Sequence, residues 1–223
     1  MNPEKGSQLR LYSYWRSSAA YRVRIALHLK DLDFKTVPVH LVHYWGEHHT
    51  ETYRLVNPQG LVPVLEHKGR VLTQSMAICE YLDECFEPYP LLPADLLGRA
   101  RIRSLALQIA CEVHPLNNLR VQKFLKDQYG DAVDSVAWMQ HWMSEGFTAI
   151  EQHINAERFD QSLYCGDSPG LFECFLIPQV YNAQRFDMDM SLFPAISEIV
   201  ERCRVLPAFI KAAPENQPDA EPL

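Results

Sequence analysis

The sequence predicts a small α/β domain followed by an all-α domain. Strand and helix patterns alternate from residue 9 to about residue 90, whereas strand patterns nearly vanish after that point. Between the two parts, the segment PYPLLPADLLG holds three prolines and ends with a glycine, which is typical of a linker. The chain ends in a polar, proline-rich segment, which predicts disorder. We therefore expect an α/β domain at 9–90, a linker at 91–98, a helical domain at 99–215 and a disordered tail at 216–223.

The elements of the first domain follow in order along the chain. LRLYS predicts a strand, residues 19–30 a helix, and FKTVPVHL, which is apolar and rich in β-branched residues, a second strand. TETYRLV predicts a short helix that ends before Asn57-Pro58, since a residue before proline leaves the helical region. VPVLEH and RVLTQ, separated by Lys68-Gly69, predict a hairpin, and SMAICEYLDECF predicts a helix. This order indicates a mixed sheet with helices packed on it.

The second domain shows apolar residues at helical spacing almost throughout. Long segments around the motifs VHPLNNLRV, VAWMQHWM, LFECFLIPQ and AISEIVERC all follow this pattern. They predict a helical bundle without a sheet.

Composition and charge limit the possible functions. The 47% hydrophobic and 22% charged content is typical of a globular domain, and the formal charge of −7 argues against general binding to nucleic acids or anionic membranes. No apolar run could span a bilayer, and MNPEKGSQLR lacks the apolar core of a signal peptide, so we expect a cytoplasmic protein. Six cysteines, with no Cys-x-x-Cys pair or zinc-like spacing, predict buried free thiols. HLVHYWGEHH holds four histidines but no helical metal-binding pair, so we expect an exposed loop and no metal.

A turn with Arg16, Ser17 and Ser18 joins the first strand to the first helix. Backbone N–H groups at a helix start lack partners, and the helix dipole is positive there. Either serine could therefore serve as an N-cap, or one hydroxyl could donate to a thiolate or a phosphate. A phosphate loop would need glycines, and this turn has none, so a single small anion fits better.

Two later segments allow similar alternatives. Pro63, at the start of a strand, cannot donate to a sheet ladder, so it is either an edge residue or a cis-proline that leaves neighbouring backbone for a ligand. Gln74 and Ser75 stand where the next strand ends and a helix begins. They could receive a carboxylate at the helix N-terminus, or Ser75 could simply cap that helix.

Taken in order, these segments resemble the zeta class of the cytosolic glutathione transferases. That class includes maleylacetoacetate isomerases and bacterial maleylpyruvate isomerases. The resemblance extends from Leu9 to about Pro218 and rests on RSSAAYRVRIAL, VNPQGLVPVL, TQSMAICEYLDE, VHPLNNLRV and IPQVYNAQRF. It implies a thioredoxin-like first domain, glutathione as cofactor and a homodimer.

The resemblance also implies roles for individual residues. Ser17 and Ser18 would lie near the glutathione sulfur. Of the two, we expect Ser17 to activate the thiol and Ser18 to be partly a helix cap. Val62, before a cis Pro63, would pair with the cysteinyl backbone of glutathione.

Three further positions complete the cofactor site that the resemblance implies. Gln74 and Ser75 would hold the γ-glutamyl carboxylate and amine. His114, at a helix bend before a proline, would approach the ligand from the second domain.

The substrate's carboxylates need cations, and arginine is suited to bidentate carboxylate recognition. Arg16, Arg120 and Arg185 match family positions that bind substrate. Close bacterial relatives often carry a further arginine where this chain has Leu119, which leaves the particular diacid open.

The chain departs from the family pattern at two other places. Ala19 and Tyr21 stand where the family commonly has cysteine and tryptophan, so no cysteine of this turn can act covalently. Gly170 and Glu173 stand where a threonine and an aspartate usually form a helix-capping box. Gly170 can still be an N-cap and Glu173 can reach back to it, so we expect weaker capping but intact folding.

The resemblance implies a glutathione-dependent cis–trans isomerase of a small unsaturated keto-diacid. A glutathione transferase that conjugates or dehalogenates small electrophilic acids is the alternative within enzymes. A non-catalytic glutathione-binding module is the alternative of another class.

Overall fold

The computed structural model describes residues 9–43, 46–87, 89–158 and 168–222. The chain forms two compact units. One consists of the residues up to Leu91 together with those from Val205 onward, and the other is Leu92–Arg204. No helix in the described ranges is both long enough and apolar enough to cross a membrane.

The first unit is built on a four-stranded mixed sheet, as predicted. The strand order is β2-β1-β3-β4, with β1 parallel to β2 and with β3 antiparallel to both β1 and β4. The strands are β1 (Leu9–Ser13), β2 (Phe34–Pro38), β3 (Val64–His67) and β4 (Arg70–Thr73), and the helices are α1 (Ser18–Leu29), α2 (Glu51–Val56), α3 (Ser75–Cys85) and α9 (Pro207–Ala212).

The first helix, α1, is the centre of this unit. Every residue from Ala20 to Leu27 is buried, because α1 packs against α3 on one side and α9 on the other. Two arginines, Arg22 and Arg24, lie within this buried stretch. A buried guanidinium is costly unless its N–H groups are bonded, so both arginines must find acceptors inside the unit.

The C-terminal segment differs from the prediction. Residues from Val205 onward belong to the first unit, so the helical unit ends at Arg204 rather than at residue 215. Residues 216–222, predicted to be disordered, are held by contacts: Gln217 is buried, and Asp219 Oδ2 accepts the backbone N–H of Trp15 at 3.0 Å. These long-range bonds and the burial offset the entropy that ordering the segment costs.

The second unit is helical, as predicted, and its first helix begins inside the predicted linker. Asp95 caps that helix by accepting the N–H of Gly98 at 2.6 Å. The helices are α4 (Leu96–Leu107), α5 (Leu119–Tyr129), α6 (Ser135–Arg158), α7 (Leu171–Arg185) and α8 (Pro194–Arg204).

The start of α7 has the weakened capping that the sequence predicted. Glu173 is fully buried, and its Oε2 accepts the backbone N–H of Gly170 at 2.7 Å. Gly170 has no side chain to return a bond, so only one half of a capping box forms.

Cysteine placement is mixed. None of the five cysteines in the described ranges forms a disulfide. Cys79, Cys174 and Cys203 are buried as predicted, whereas Cys85 and Cys111 are exposed. The remaining one, Cys165, lies outside the described residues.

Glu151 caps α8 from the side of α6, and its removal should destabilise the second unit. Its two carboxylate oxygens accept the backbone N–H groups of Ala195 and Ile196 at 2.7 and 2.9 Å, and the side chain is buried. We expect Glu151→Ala to lower the free energy of unfolding by about 3–6 kcal/mol, since two hydrogen bonds to a charged group are lost, each worth about 1.5–3 kcal/mol. Urea unfolding measures this; Glu145→Ala, on an exposed position of α6, should change it by less than about 0.5 kcal/mol.

Candidate active site

Three segments of the first unit meet at one edge of the sheet. Strand β1 ends there at Ser13, and β4 ends there at Thr73. Strand β3 begins there at Val64, since it runs antiparallel to both. The residues that follow β1, precede β3 and follow β4 therefore share this edge, and α1 and α3 both begin there.

Ser17 is the N-cap of α1. Its Oγ accepts the backbone N–H of Ala20 at 3.2 Å, and its own backbone N–H donates to the carbonyl of Tyr14 at 2.9 Å. Ser18 is the first residue of the helix, so the expectation that Ser18 would be partly the cap is corrected. The capping bond uses a lone pair of Ser17 Oγ, which leaves its hydroxyl hydrogen for donation to a ligand.

The serine turn is held from inside the unit by Arg24. This guanidinium is fully buried and donates to Ser13 Oγ at 3.1 Å and to the carbonyls of Tyr14 and Trp15 at 3.4 and 2.9 Å. Its Nε donates to the carbonyl of Ala212 at 2.9 Å. Sequence reasoning missed this residue, although an arginine inside the apolar stretch YRVRIAL was a signal for it.

In sequence, Arg16 lies between Trp15, whose carbonyl is bonded to Arg24, and Ser17. The Arg16 side chain is partly exposed. Its guanidinium lies 4.7 Å from the centre of the Trp15 ring, which is itself buried. A cation over an indole face is held in place without losing its charge. Arg16 therefore offers a positive charge that is positioned on Trp15, one residue before the two serines.

The Val62–Pro63 peptide is cis, so the edge-residue alternative for Pro63 does not apply. Val62 precedes the paired residues of β3, and its side chain is buried. The preceding loop is fixed at the carbonyl of Leu61, which accepts from Tyr53 Oη at 2.7 Å and from Asn57 Nδ2 at 2.8 Å. Burial, and next the proximity of Tyr12, raise the pKa of Tyr53, so its hydroxyl stays protonated and donates.

Gln74 and Ser75 form the start of α3. Gln74 occupies the N-cap position with a φ of 70° and no side-chain capping bond; its Nε2 donates to Gln59 Oε1 at 2.9 Å. Ser75 does not cap the helix either, because it is the first helical residue. Its buried Oγ accepts from Arg22 Nη1 at 3.1 Å. Arg22 thus places a positive charge beside a helix N-terminus, which favours an anion there.

The thiol nearest in sequence to this site is not a nucleophile. Cys79 lies one turn after Ser75 and is fully buried. Burial raises the pKa of the Cys79 thiol to about 12, although the charge of Arg22 opposes this. With Ala19 beside the serines, no cysteine of the described segments that form this edge of the sheet offers a reactive thiolate, which a ligand would then supply.

The remaining candidate residues lie in the second unit. His114 begins the short turn His114–Asn117, where the helix changes geometry after a π-helical stretch. Arg120 is exposed in the first turn of α5, and Arg185 is exposed at the end of α7 with its guanidinium 5.2 Å from the centre of the Phe186 ring.

The beginning of α6 ties these two regions together. Trp138 Nε1 donates to the carbonyl of Leu116 at 2.9 Å, and Gln140 Nε2 donates to the carbonyl of Phe186 at 2.7 Å. The segment before Arg120 and the residue after Arg185 are thus fixed at the same level of α6, to two residues on roughly opposite faces of that helix. Both arginines belong to the same end of the second unit.

One group of side chains in the described residues comes within metal-binding distance. The ligand atoms of His40, His43 and Glu221 lie within 4.8 Å of one another. His40 Nδ1, however, accepts the backbone N–H groups of Val42 and His43 at 3.1 and 2.7 Å, so a neutral ring carries its hydrogen on Nε2. That nitrogen lies 3.2 Å from Glu221 Oε1, which suits a histidine–carboxylate contact and not a metal ligand.

The histidine-rich segment is also less exposed than predicted. His48 is buried, and the side chain of His40 is only 16% exposed. His43, whose side chain is 55% exposed, and His49 are the two exposed histidines of the segment.

Comparison with known proteins shows which family this architecture belongs to. Residues 16–85 match the family model described as "Glutathione S-transferase, N-terminal domain". A probable maleylacetoacetate isomerase of Vibrio cholerae is 48% identical over 213 residues, covering 94% of this chain and 97% of that protein. A maleylpyruvate isomerase of a Ralstonia species is 40% identical over 213 residues, covering 95% of this chain and 100% of that protein.

Similar solved structures are of the same kinds of protein as these sequence relatives. The holo structure of a maleylpyruvate isomerase, described as a bacterial zeta-class glutathione transferase, superposes with a TM-score of 0.89 at 40% identity, covering 95% of this chain and all of that one. A maleylacetoacetate isomerase from Anaeromyxobacter dehalogenans was solved with glutathione bound in its active site. It superposes with a TM-score of 0.84 at 39% identity, covering 96% of this chain and 98% of that one. The chain belongs to the zeta-class glutathione transferases, the enzyme family of the maleylacetoacetate and maleylpyruvate isomerases.

Proposed function

We propose that this protein is a glutathione-dependent cis–trans isomerase of a small unsaturated keto-diacid, of the maleylacetoacetate or maleylpyruvate type. Relatives that carry those names align over nearly its whole length. One observation carries the proposal: the hydroxyl of Ser17, at the N-terminus of α1, shares an edge of the sheet with the cis Val62–Pro63 peptide and with the start of α3.

The donor groups at this edge fit glutathione. Its thiolate is matched by the Ser17 hydroxyl and the positive end of α1. Its γ-glutamyl carboxylate is matched by Gln74, Ser75 and the positive end of α3, with Arg22 behind it. Val62 lies outside the paired residues of the sheet, so its backbone suits the extended cysteinyl part of the tripeptide.

When bound, glutathione supplies a thiolate that adds to the cis double bond, leaves a single bond that can rotate, and departs as the trans double bond forms. The chain's own task is to favour the thiolate. A free cysteine thiol has a pKa near 8.5, and lowering it by about two units requires roughly 2.7 kcal/mol. A hydrogen bond to a charged group contributes about 1.5–3 kcal/mol, and a helix N-terminus adds about 0.3–1 kcal/mol. Ser17 and α1 are therefore sufficient without a cysteine.

Three arginines are proposed to hold the carboxylates of the substrate. Arg16 stacks on Trp15 beside the serines, and Arg120 and Arg185 stand at one end of the second unit. Two carboxylates need at least two cations, and a guanidinium binds a carboxylate with two parallel hydrogen bonds. His114 is proposed to contact glutathione from the second unit.

The decisive experiment follows maleylacetoacetate and maleylpyruvate by ultraviolet absorbance with purified protein and catalytic glutathione. Loss of the cis acid with glutathione undiminished supports the isomerase. Steady consumption of glutathione with a haloacid, and no isomerisation, would indicate a conjugating or dehalogenating transferase. Glutathione binding without either reaction would indicate a binding module.

The arginines should act on substrate binding more than on thiolate formation. We expect Arg16→Ala, Arg120→Ala and Arg185→Ala each to raise KM for the acid by about 10- to 100-fold, because one charge-assisted pair is worth about 1.5–3 kcal/mol. The absorbance of the bound thiolate should stay as in the wild type. Arg204→Ala removes an exposed arginine paired with Glu201 and should change neither quantity. A KM that is unaltered in all three variants would contradict the assignment.

We infer that the chain forms a homodimer, as the resemblance to the family implies. The chain mass is 25.7 kDa. Light scattering should therefore give about twice that mass, and a mass equal to one chain would contradict the inference.

A further inference from the structure

We propose that Asp219 is a positioning residue for the turn that carries Ser17. Asp219 belongs to residues Gln217–Glu221, here called the C-terminal strap. The proposal rests on the proposed function, because it takes Ser17 as the residue that activates the thiol. It assigns a role in the reaction to the end of the chain, which contains none of the candidate site residues.

The peptide groups on both sides of Trp15 are held by charged side chains. Its backbone N–H donates to Asp219 Oδ2 at 3.0 Å, and its carbonyl accepts from Arg24 Nη2 at 2.9 Å. Arg24 is itself bonded to the carbonyl of Ala212, at the end of α9. Trp15 precedes Ser17 by two residues, so these bonds fix the backbone from which the Ser17 hydroxyl projects.

The strap is anchored, so Asp219 is not presented by a loose end. Gln217 is buried, and its Nε2 donates to the carbonyls of Lys211 and Ala213 at 2.9 and 2.8 Å. Ala220 packs against the buried cluster that contains Tyr14, Trp15 and Val62. At the far end of the strap, Glu221 Oε1 lies 3.2 Å from His40 Nε2.

Burying one oxygen of the Asp219 carboxylate lowers the stability of the fold, and packing does not explain why a carboxylate stands there. Its second oxygen, Oδ1, is buried and has no hydrogen-bond partner among the described residues. A buried polar atom without a partner destabilises a fold, and such atoms call for a functional reason. A negative charge cannot favour a thiolate. The contribution of Asp219 must therefore be geometric: it holds the Trp15 N–H.

This geometric role predicts different effects for two substitutions of Asp219. Asp219→Ala removes the acceptor, whereas the amide oxygen of Asp219→Asn can still accept the Trp15 N–H without a charge. The readouts are the pH dependence of thiolate absorbance for glutathione bound to the full-length protein, and kcat and KM for isomerisation. Asp33→Asn, an exposed aspartate of the same unit, is the matched control.

We expect Asp219→Ala to raise the pKa of bound glutathione by about one unit and to lower kcat about tenfold. KM for glutathione should stay within about twofold of the wild-type value, because the α3 end of the cofactor site is not altered. Asp219→Asn should keep most of the wild-type kcat and a thiol pKa close to the wild-type value. Asp33→Asn should match the wild type in both quantities. If Asp219→Ala fails to fold, Asp219→Glu, which displaces the acceptor by one methylene, should raise the pKa of the bound thiol in the same direction.

Two outcomes would overturn the inference. One is an Asp219→Ala protein with wild-type thiolate pKa and kcat; the other is an Asp219→Asn protein as impaired as Asp219→Ala. The failure of the proposed function looks different, since the wild-type protein would then isomerise neither acid, whatever the Asp219 variants do to the pKa of bound glutathione.

Discussion

Replacing Ser17 with glycine is expected to lower kcat/KM for isomerisation by about 100-fold while leaving the fold nearly as stable. In the proposed mechanism the hydroxyl is the donor that favours the bound thiolate, so its loss should return the thiol pKa toward that of free glutathione. The acidic limb of the pH–rate profile should therefore move to higher pH. Glycine is chosen because Ser17 is also the N-cap of α1. Glycine at an N-cap costs only a few tenths of a kcal/mol, against about 1 kcal/mol for alanine.

Two matched variants separate the donor from the cap. Ser17→Thr keeps both the hydroxyl and the capping oxygen and should retain most of the activity. Ser18→Ala removes the neighbouring hydroxyl without touching the capping bond to Ala20. The assignment would be reversed if Ser18→Ala abolished the thiolate absorbance while Ser17→Gly kept it.

Replacing Arg24 with methionine is expected to lower the free energy of unfolding by about 3–5 kcal/mol. The guanidinium is fully buried and satisfies three backbone carbonyls and the Ser13 hydroxyl. Methionine fills a similar length of side chain but leaves those acceptors without donors in the interior. Urea unfolding followed by circular dichroism measures the loss.

The control for this change is Arg70→Met, an arginine exposed on β4, which should alter stability by less than about 0.5 kcal/mol. The loss of unfolding free energy for Arg24→Lys should lie between those for Arg24→Met and Arg70→Met. An ammonium group cannot reach acceptors on several sides as a planar guanidinium does. A loss below about 1 kcal/mol for Arg24→Met would mean that Arg24 does not anchor the turn.

Local patterns were enough to predict the sheet, whereas the cofactor roles of the residues at its edge came from the family resemblance. Alternation predicted β1, β-branched residues predicted β2, and the Lys68-Gly69 turn predicted the hairpin of β3 and β4. The residue chemistry of Pro63 left two choices, of which the structure has the cis peptide. The capping of α7 by Glu173 was also local, because both groups lie within one turn. The arginines of the second unit came from the family resemblance and not from any pattern of their own.

Features that depend on distant parts of the chain were not predicted. The C-terminal strap is polar and rich in proline, and nothing near it in sequence indicates that Trp15 will supply its partner. Arg24 appears among apolar residues, but the carbonyl of Ala212 lies 188 residues away. The choice between Ser17 and Ser18 as the cap depends on the residue at which β1 ends and α1 begins. Hydrophobic periodicity locates such boundaries only to within a residue or two.

The return of the chain to its first unit has a consequence for synthesis on the ribosome. The sheet and α1 are made first, but α9 and the strap are made after the whole helical unit. Until α9 and the strap emerge, Arg24 lacks the Ala212 carbonyl and Trp15 lacks the Asp219 carboxylate. The nascent chain therefore holds the backbone before Ser17 with fewer bonds until these two segments have been made.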